Sequence, residues 1–265
     1  YRTNPNYVIA TENPDYYIGM GLTAEEVDVK YDITREEADE FSYNSHQKAL
    51  KAIEKGYFAN EIAPMEIEEV YYDATKGKKA SRSYTVKMDE GPRADTSKEV
   101  LGKLRPVFKQ GGQVTAGNSS QTSDGAAFVI VMSERLMKEL GLEPEARMIT
   151  SVTTGVNPRY MGIGPVEAIP KALERAGMDY TDIELVELNE AFAAQSLAVI
   201  RELGLDQEKV NPNGGAIALG HPLGCSGARL VVTLLHHLKR TGQEKGLATM
   251  CVGGGMGAAA TFTAA

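Results

Sequence analysis

The chain has 265 residues and 42% of them are hydrophobic, which is enough to build a substantial core in one large domain or two smaller ones. Its formal net charge of −8 at pH 7 argues against a general nucleic-acid surface and against a surface for anionic membranes. The chain has two cysteines and no apolar run of membrane-spanning length, so we expect a globular protein of a reducing, cytoplasmic compartment.

The first part of the chain predicts a loop and then two helices. Residues 1–22 contain two Asn-Pro pairs and a Gly-Met-Gly sequence, which are typical of a loop. Capping boxes of the form Thr-x-x-Glu begin at Thr23 and Thr34. They predict a short helix and a longer one, and the longer helix should end before Gly56.

The middle of the chain changes character twice. Residues 61–72 are strand-like, and residues 73–98 are charged, which predicts a solvated face, with contacts to phosphate as the alternative. A loop of small residues then leads into a continuous apolar run at 126–132, which predicts a buried strand. Residues 133–140 predict a helix that ends before Gly141.

The last part of the chain alternates strands with helices, which implies an α/β fold in which helices cover a sheet. The predicted strands are 148–153, 183–188 and, as the final strand, 247–252, and the predicted helices are 165–176, 191–203 and 228–240.

A glycine-rich stretch at 213–227 presents one imidazole, that of His221. Glycine has no side chain, so the backbone there can turn sharply and pass close to a ligand. The helix predicted next has free N–H groups at its start, and these favour negative charge. The stretch therefore indicates chemistry on an anion-forming substrate, with an ordinary turn before a helix as the alternative.

Two further polar residues stand at predicted strand ends. Cys251 is followed by the glycine-rich residues 253–257, and a thiol beside free backbone N–H groups suits proton transfer and oxyanion binding. The alternative for Cys251 is a buried structural cysteine. Asn189 follows another strand, where it can be the N-cap of the next helix or present its amide to a carbonyl oxygen.

Three motifs occur in a fixed order: Asn-Glu-Ala-Phe-Ala at 189–193, Gly-His-Pro at 220–222 and Cys-Val-Gly-Gly-Gly-Met-Gly at 251–257. Together they resemble the thiolase family. The segments 161–166 and 211–215 are most similar to the 3-ketoacyl-CoA thiolase branch, with acetoacetyl-CoA thiolase as the near alternative.

The resemblance implies a layered αβαβα architecture with an incomplete N-terminal domain. In that scheme residues 1–122 form a loop domain that binds CoA. Residues 123–145 are the last strand and helix of the N-terminal thiolase domain, and residues 146–265 are the C-terminal thiolase domain.

The activity implied by the resemblance is transfer of an acyl group from a 3-ketoacyl-CoA to CoA, with release of acetyl-CoA. His221 matches the family's base, and Cys251 matches the proton donor to the departing acetyl-CoA. His221 and a water on Asn189 would hold the enolate oxygen, and the N–H of Gly253 would form half of an oxyanion hole. The family's nucleophilic cysteine has no counterpart here, so we expect these residues to be the C-terminal two-thirds of the enzyme and inactive alone.

For CoA, which is a substrate rather than a cofactor, Ser120 matches the family's pantetheine contact. Phe108, Met20 and Phe192 match positions that line the pantetheine and acyl pocket, for which apolar side chains are suitable. Basic residues between 76 and 105 are candidates for the CoA phosphates. The resemblance further implies a homodimer or homotetramer, and we expect neither a metal site nor nucleic-acid binding.

Two other functions remain open. The chain could be a non-catalytic module that binds acyl-CoA. A cysteine hydrolase built on His221 and Cys225 is weaker, because residues four apart across a Pro-Leu-Gly turn need not face each other. The remaining histidines carry no motif and are expected to be structural or on the surface; they are His46, His236 and His237.

Overall fold

The computed structural model describes residues 4–265, so Tyr1–Thr3, which begin the predicted loop and the predicted 1–122 domain, lie outside the described residues. The helices are α1 (Tyr7–Glu12), α2 (Met20–Tyr31), α3 (Arg35–Glu54), α4 (Lys98–Gly102), α5 (Glu134–Leu140), α6 (Gly164–Ala176), α7 (Ala193–Leu203), α8 (Ala216–Leu219) and α9 (Ser226–Thr241). The strands are β1 (Met65–Asp73), β2 (Lys78–Val86), β3 (Ala146–Gly155), β4 (Leu185–Leu188), β5 (Lys245–Val252) and β6 (Met256–Ala264), and 3₁₀ turns lie at Pro14–Tyr17, Pro158–Ile163 and Tyr180–Asp182.

A four-stranded sheet with the order β3-β6-β5-β4 organises the second half of the chain. Strands β4 and β5 are parallel, and the other two pairings are antiparallel. Helix α6 covers one face and α9 the other, because side chains alternate along each strand. Val186 on β4 packs in one core with Ile169 of α6, whereas the adjacent Leu185 packs with Leu234 of α9.

These helix, sheet and helix layers confirm the predicted α/β class and correspond to three of the five layers that the resemblance implies. Leu230, Leu234 and Leu238 recur every four residues on α9, so one stripe of that helix is buried against the sheet. The division into domains at 122 and 145 remains a prediction.

Helix α3 begins as the capping box predicts. The backbone N–H of Glu37 donates to Thr34 Oγ1 at 3.3 Å, and the backbone N–H of Thr34 donates to Glu37 Oε2 at 2.9 Å. The predicted start at Thr23 is wrong. Helix α2 already begins at Met20 after Gly19, and the Thr23 hydroxyl donates to the Met20 carbonyl at 2.7 Å within the first turn.

The loop predicted for residues 1–22 is also wrong in part, because residues 7–12 are helical and a 3₁₀ turn follows. The reason is Asn6, whose side chain accepts a hydrogen bond from the Ile9 N–H at 3.2 Å and so caps α1. Asparagine next to proline marks a turn, but the same side chain is a good N-cap.

The apolar run at 126–132 is not a strand, which corrects the prediction. Phe128, Ile130 and Val131 are 87%, 84% and 79% exposed. A strand needs a neighbour for its backbone N–H and C=O groups, and within residues 4–265 no strand pairs with this segment. Composition predicts that a segment is suited to a sheet, but not whether a partner strand lies beside it.

Two strands were not predicted. Part of the charged stretch at 73–98 forms β2, which pairs with β1 in an antiparallel hairpin whose Arg82 and Glu69 make a 2.7 Å ion pair across the strands. Strand β6 follows β5, so 247–252 is not the final strand. The alanines and the glycine of β6 have little intrinsic β-propensity. The segment is nevertheless a strand, because it pairs with β3 on one edge and with β5 on the other.

Among residues 4–265, no helix has both the length and the apolar character required to cross a membrane.

Candidate active site

The parallel pair β4 and β5 brings two of the predicted residues to one edge of the sheet. Parallel strands end at the same edge, and there Leu188 of β4 is paired with Thr249 of β5. Asn189 comes directly after Leu188, and its backbone N–H donates to the Thr249 carbonyl at 3.0 Å. Cys251 lies two residues beyond Thr249 on β5, so both residues lie at the carboxyl edge.

Asn189 is completely buried and is not the N-cap of the next helix, since α7 begins at Ala193 with Phe192 at its cap position. The N-cap alternative and the predicted start at residue 191 are therefore wrong. The Asn189 side-chain amide nitrogen instead lies 3.3 Å from Nε2 of His221. Its Oδ1 has no hydrogen-bond partner among the described residues, so the amide carries an unused acceptor.

The two ring nitrogens of His221 have different partners. Nδ1 lies 2.6 Å from the hydroxyl of Ser226, the first residue of α9. That hydroxyl donates its single hydrogen bond to the Pro222 carbonyl at 2.9 Å, so it accepts a hydrogen bond from the Nδ1–H group. This network places the ring proton on Nδ1 and leaves the lone pair of Nε2 facing the Asn189 amide.

Backbone contacts hold the His221 loop against residues 121–123. The His221 N–H donates to the Gln121 carbonyl at 3.1 Å. Gly220 has a φ of +93°, and a Cβ at this position would overlap the hydroxyl of Ser123. A glycine is therefore required directly before the imidazole, as the glycine-rich sequence indicates.

His221 is held in its neutral form. Burial lowers the pKa of His221 below its ordinary value, and the positive charge of Arg229 lowers it further. At neutral pH the ring is therefore an imidazole with an available lone pair on Nε2, which is the form that acts as a base.

The thiol of Cys251 is held in its protonated form. Cys251 is 7% exposed, and burial raises its pKa to about 12. Its Sγ–H donates to Oε1 of Gln195 at 3.5 Å. A buried thiol with a raised pKa is a poor nucleophile but can give up a proton to a strong base such as a carbanion.

Gln195 connects Cys251 to Asn189. Besides accepting from Cys251, its side-chain amide donates to the backbone carbonyl of Asn189 at 3.4 Å. Cys251, Gln195, Asn189 and His221 therefore form one continuous chain of hydrogen bonds. The structure thus brings together the imidazole and the thiol that are separated by thirty positions in the sequence.

An apolar wall lies beside Cys251. Phe192 is in the same buried cluster as Cys251, and its ring meets that of Phe108 edge to face at 6.1 Å. Phe108 covers Gly21, where a Cβ would overlap its ring. The Met20 sulfur lies 3.6 Å from the position that a Cβ on Gly253 would take, so the predicted pocket residues and Gly253 lie in one region.

Ser120 lies against the same segment as Asn189. Its backbone N–H donates to the Ala191 carbonyl at 3.0 Å, and the neighbouring Ser119 pairs with Phe192. Some of the basic residues between 76 and 105 form exposed ion pairs, as Arg93 does with Asp95 at 3.0 Å. Their contact with CoA phosphates remains a prediction.

The pairing of His221 with Cys225 is not found. The ring nitrogens of His221 are bonded to Asn189 and Ser226, and burial raises the pKa of Cys225. The hydrolase alternative therefore has no geometric support. Two other histidines have structural contacts: His46 accepts from the Arg93 N–H at 3.1 Å, and His237 lies 3.2 Å from the Asn213 amide.

Sequence reasoning missed Gln195 and Ser226. Gln195 is 1% exposed and stands in an otherwise small and apolar stretch of α7, so a buried polar side chain was the available signal. Ser226 had a weaker signal, because a serine at the start of a helix is ordinarily explained by the helix itself.

Family models for thiolases match nearly all of the chain. The model described as "Thiolase, N-terminal domain" matches residues 9–135, and "Thiolase, C-terminal domain" matches residues 142–264. The chain belongs to the thiolase family. This confirms the resemblance that the three motifs indicate.

This thiolase chain is similar to curated and solved relatives. It is 52% identical to the 3-ketoacyl-CoA thiolase of Bacillus subtilis, over 98% of this chain and 66% of that protein. It is 50% identical to the acetyl-CoA acetyltransferase of Escherichia coli, over 91% of this chain and 58% of that protein. The thiolase chain therefore spans less than two thirds of the length of these relatives.

Solved structures of thiolases also match this chain. The crystal structure of the Bacillus anthracis acetyl-CoA acetyltransferase matches with a TM-score of 0.86 and 51% identity, over 94% of this chain and 60% of that one. The crystal structure of the human mitochondrial 3-ketoacyl-CoA thiolase in complex with CoA matches with a TM-score of 0.81 and 42% identity, over 93% of this chain and 59% of that one. The fold of this thiolase chain is thereby shown.

Proposed function

We propose that the protein carrying this chain transfers an acyl group from a 3-ketoacyl-CoA to CoA and releases acetyl-CoA, in a reversible reaction. The observation that carries the proposal is the hydrogen-bond chain from His221 through Asn189 and Gln195 to Cys251. It holds a neutral base and a protonated acid at one edge of the sheet. The names of the relatives, 3-ketoacyl-CoA thiolase and acetyl-CoA acetyltransferase, support the same reaction class.

His221 is the base in this proposal. Its Nε2 lone pair takes the proton from a thiol, which becomes the thiolate that attacks the acyl carbonyl. The Nδ1–H bond to Ser226 keeps the ring in the tautomer that this step needs. Once protonated, Nε2–H can donate to the enolate oxygen, together with a water held by Asn189.

Cys251 is the acid. Cleavage breaks the carbon–carbon bond between the carbonyl carbon of the acyl group and the α-carbon of the departing acetyl-CoA. The α-carbon keeps the electron pair of that bond. That carbon then takes the proton from the Cys251 Sγ, which gives acetyl-CoA. In the condensation direction the thiolate takes the same proton back.

Neither cysteine of this chain suits the role of acyl carrier. Burial raises the pKa of both thiols, and Cys251 is needed as a proton donor. The N–H of Gly253, in the turn between β5 and β6, is proposed to stabilise the oxyanion of the acyl intermediate.

The CoA arm is proposed to run along the apolar wall. Met20 and Phe108 are 39% and 44% exposed beside the buried Phe192, so this wall offers apolar surface to the pantetheine. Ser120 would meet the polar part of the arm. A homodimer or homotetramer and a cytoplasmic location complete the proposal; the two unpaired cysteines support a reducing compartment.

The second candidate is an acetyl-CoA acetyltransferase, which is favoured by relatives of that name at 50% and 51% identity. The two candidates differ in the acyl chain that they accept. The third outcome of the test below is a protein that binds acyl-CoA but does not catalyse acyl transfer.

The test is an assay of thiolysis with the protein that carries this chain. Acetoacetyl-CoA and a longer 3-ketoacyl-CoA are each incubated with CoA, and acetyl-CoA is measured by liquid chromatography. Product from the longer substrate supports the proposal, and product from acetoacetyl-CoA alone favours the second candidate. Binding of CoA by calorimetry without product from either substrate contradicts both.

A further inference from the structure

Gln195 contacts the proposed acid, and its orientation is fixed by its neighbours. The two ends of a glutamine amide are distinguished by their hydrogen-bond partners. The Ser196 hydroxyl donates to the Phe192 carbonyl at 3.0 Å, so it can only accept from the Gln195 amide, which lies 2.9 Å away. The atom next to Ser196 is therefore the NH₂ group, and the carbonyl oxygen faces Cys251.

The second amide contact fixes the same orientation. The Gln195 NH₂ group also donates to the Asn189 carbonyl at 3.4 Å, and a carbonyl oxygen in that place would face another acceptor. The side chain is 1% exposed, and a Cβ on Gly162 of the 3₁₀ turn would overlap the Gln195 Cβ. Packing and hydrogen bonds thus hold the amide in one rotamer.

We propose that Gln195 is a positioning residue that aims the Cys251 S–H group and keeps it protonated, by accepting its hydrogen bond with a locked amide carbonyl. This role deepens the proposed function and rests on it. An acceptor that faces the sulfur stabilises the thiol and repels the thiolate. After Cys251 gives its proton to the carbanion, the carbonyl therefore favours return of the thiolate to the thiol form, with the proton that the incoming CoA thiol releases when it attacks the acyl group. Because the same amide binds the Asn189 carbonyl, it also fixes the distance between the acid and the oxyanion-binding residue.

The contact is tested by infrared spectroscopy of the S–H stretch, which lies in a window where other protein groups do not absorb. The Cys251 band is the one that Cys251→Ser removes. In Gln195→Met, which keeps the volume but removes the acceptor, we expect this band to move to higher frequency. In Gln195→Glu the two acceptors beside the buried carboxyl hold it protonated, so it keeps a carbonyl oxygen towards the sulfur and we expect the band to stay close to that of the unaltered protein. A band that is unchanged in Gln195→Met overturns the inference.

The control is Gln243→Met, a part-buried glutamine just before β5, at the opposite end of that strand from Cys251, whose amide donates to the Glu184 carbonyl at 3.3 Å. Its Cys251 band should stay where it is in the unaltered protein, and movement there would overturn the inference because the shift would then not be specific to Gln195.

Kinetics separate this role from packing. We expect Gln195→Met to lower kcat for carbon–carbon cleavage about tenfold, which corresponds to one lost hydrogen bond, with little change in KM. A shifted band with unchanged kcat would overturn the positioning role while leaving the proposed function intact. If the unaltered protein shows no thiolysis, the proposed function fails, and the catalytic role of Gln195 fails with it.

Discussion

At His221, the choice between the two ring nitrogens depends on Ser226. A neutral imidazole has one N–H and one lone pair, and only the nitrogen with the lone pair can act as a base. The Ser226 hydroxyl accepts a hydrogen bond from Nδ1–H, because its own O–H donates to the Pro222 carbonyl. The sequence presents the imidazole, but the tautomer is set by a hydroxyl that reaches back from α9.

Ser226→Ala is predicted to lower kcat/KM about tenfold, because Nδ1 loses its partner and the ring can rotate or change tautomer. Ser226→Thr keeps the hydroxyl and should retain most of the activity. The ¹⁵N chemical shifts of the His221 ring would report the tautomer directly.

The matched control is Ser42→Ala, which removes a fully buried helical hydroxyl that donates to the Ala38 carbonyl at 2.7 Å. We expect no loss of activity there. Equal losses in Ser226→Ala and Ser42→Ala would mean that Ser226 acts only through packing.

At the scale of elements, the loop between α8 and α9 places the imidazole through its backbone. Gly220 has a φ of +93°, which is unfavourable for residues with a side chain, and it lies against Ser123. Gly224, in the same loop, has open space where a Cβ would be. Only one of these two glycines is therefore required by the fold.

Gly220→Ala is predicted to destabilise the protein by about 1–3 kcal/mol and to displace His221, with at least a tenfold loss of kcat. Gly224→Ala is predicted to have nearly the same free energy of unfolding and the same kcat as the unaltered protein. Urea unfolding and the thiolysis assay measure the two effects. Equal changes in stability and in kcat in Gly220→Ala and Gly224→Ala would contradict the requirement for a glycine at position 220.

A buried pair also links β4 to α9. Glu187 of β4 is fully buried, and the nearest guanidinium nitrogen of Arg229 is 3.5 Å away. Burial raises the pKa of Glu187 to about 8, although Arg229 acts in the opposite direction. Between the ordinary glutamate pKa and this value, the folded protein keeps a proton that the unfolded chain releases.

Stability should therefore fall as pH rises from about 5 to about 8, by up to about 1.4 kcal/mol per pH unit from this group. Glu187→Gln stays neutral, so its stability relative to the unaltered protein should increase over that range. Urea unfolding at both pH values measures the difference, and the exposed Glu208→Gln serves as control. A relative stability of Glu187→Gln that is independent of pH would contradict the raised pKa.

Secondary structure was predictable from the sequence where a local signal forms the hydrogen bonds that it predicts, as at Thr34 but not at Thr23. The capping box at Thr34 predicts the start of α3 correctly, because both of its hydrogen bonds join residues within one turn. The segment 126–132 was not predictable in this way. Its pattern is that of a strand, but pairing depends on another segment and not on its own residues.

At the scale of the whole molecule, the candidate site combines segments that are far apart in the chain. The motifs predicted which residues carry chemistry, and the structure places His221, Asn189 and Cys251 on one hydrogen-bond chain. Gln195 and Ser226 were missed because their roles depend on which face of α7 or α9 meets the site, which no local pattern specifies. The motifs thus predict the candidate reacting groups, and the tertiary structure shows which side chains contact them.

The most direct test of the central claim is to measure two reactions in Cys251→Ala, in the protein that carries this chain. One is thiolytic cleavage of a 3-ketoacyl-CoA, and the other is exchange of an acyl group between two CoA thiols, which breaks no carbon–carbon bond. If His221 is the base and Cys251 the acid, cleavage should fall by about 100-fold or more while exchange persists. Equal loss of cleavage and exchange in Cys251→Ala would contradict this division of roles.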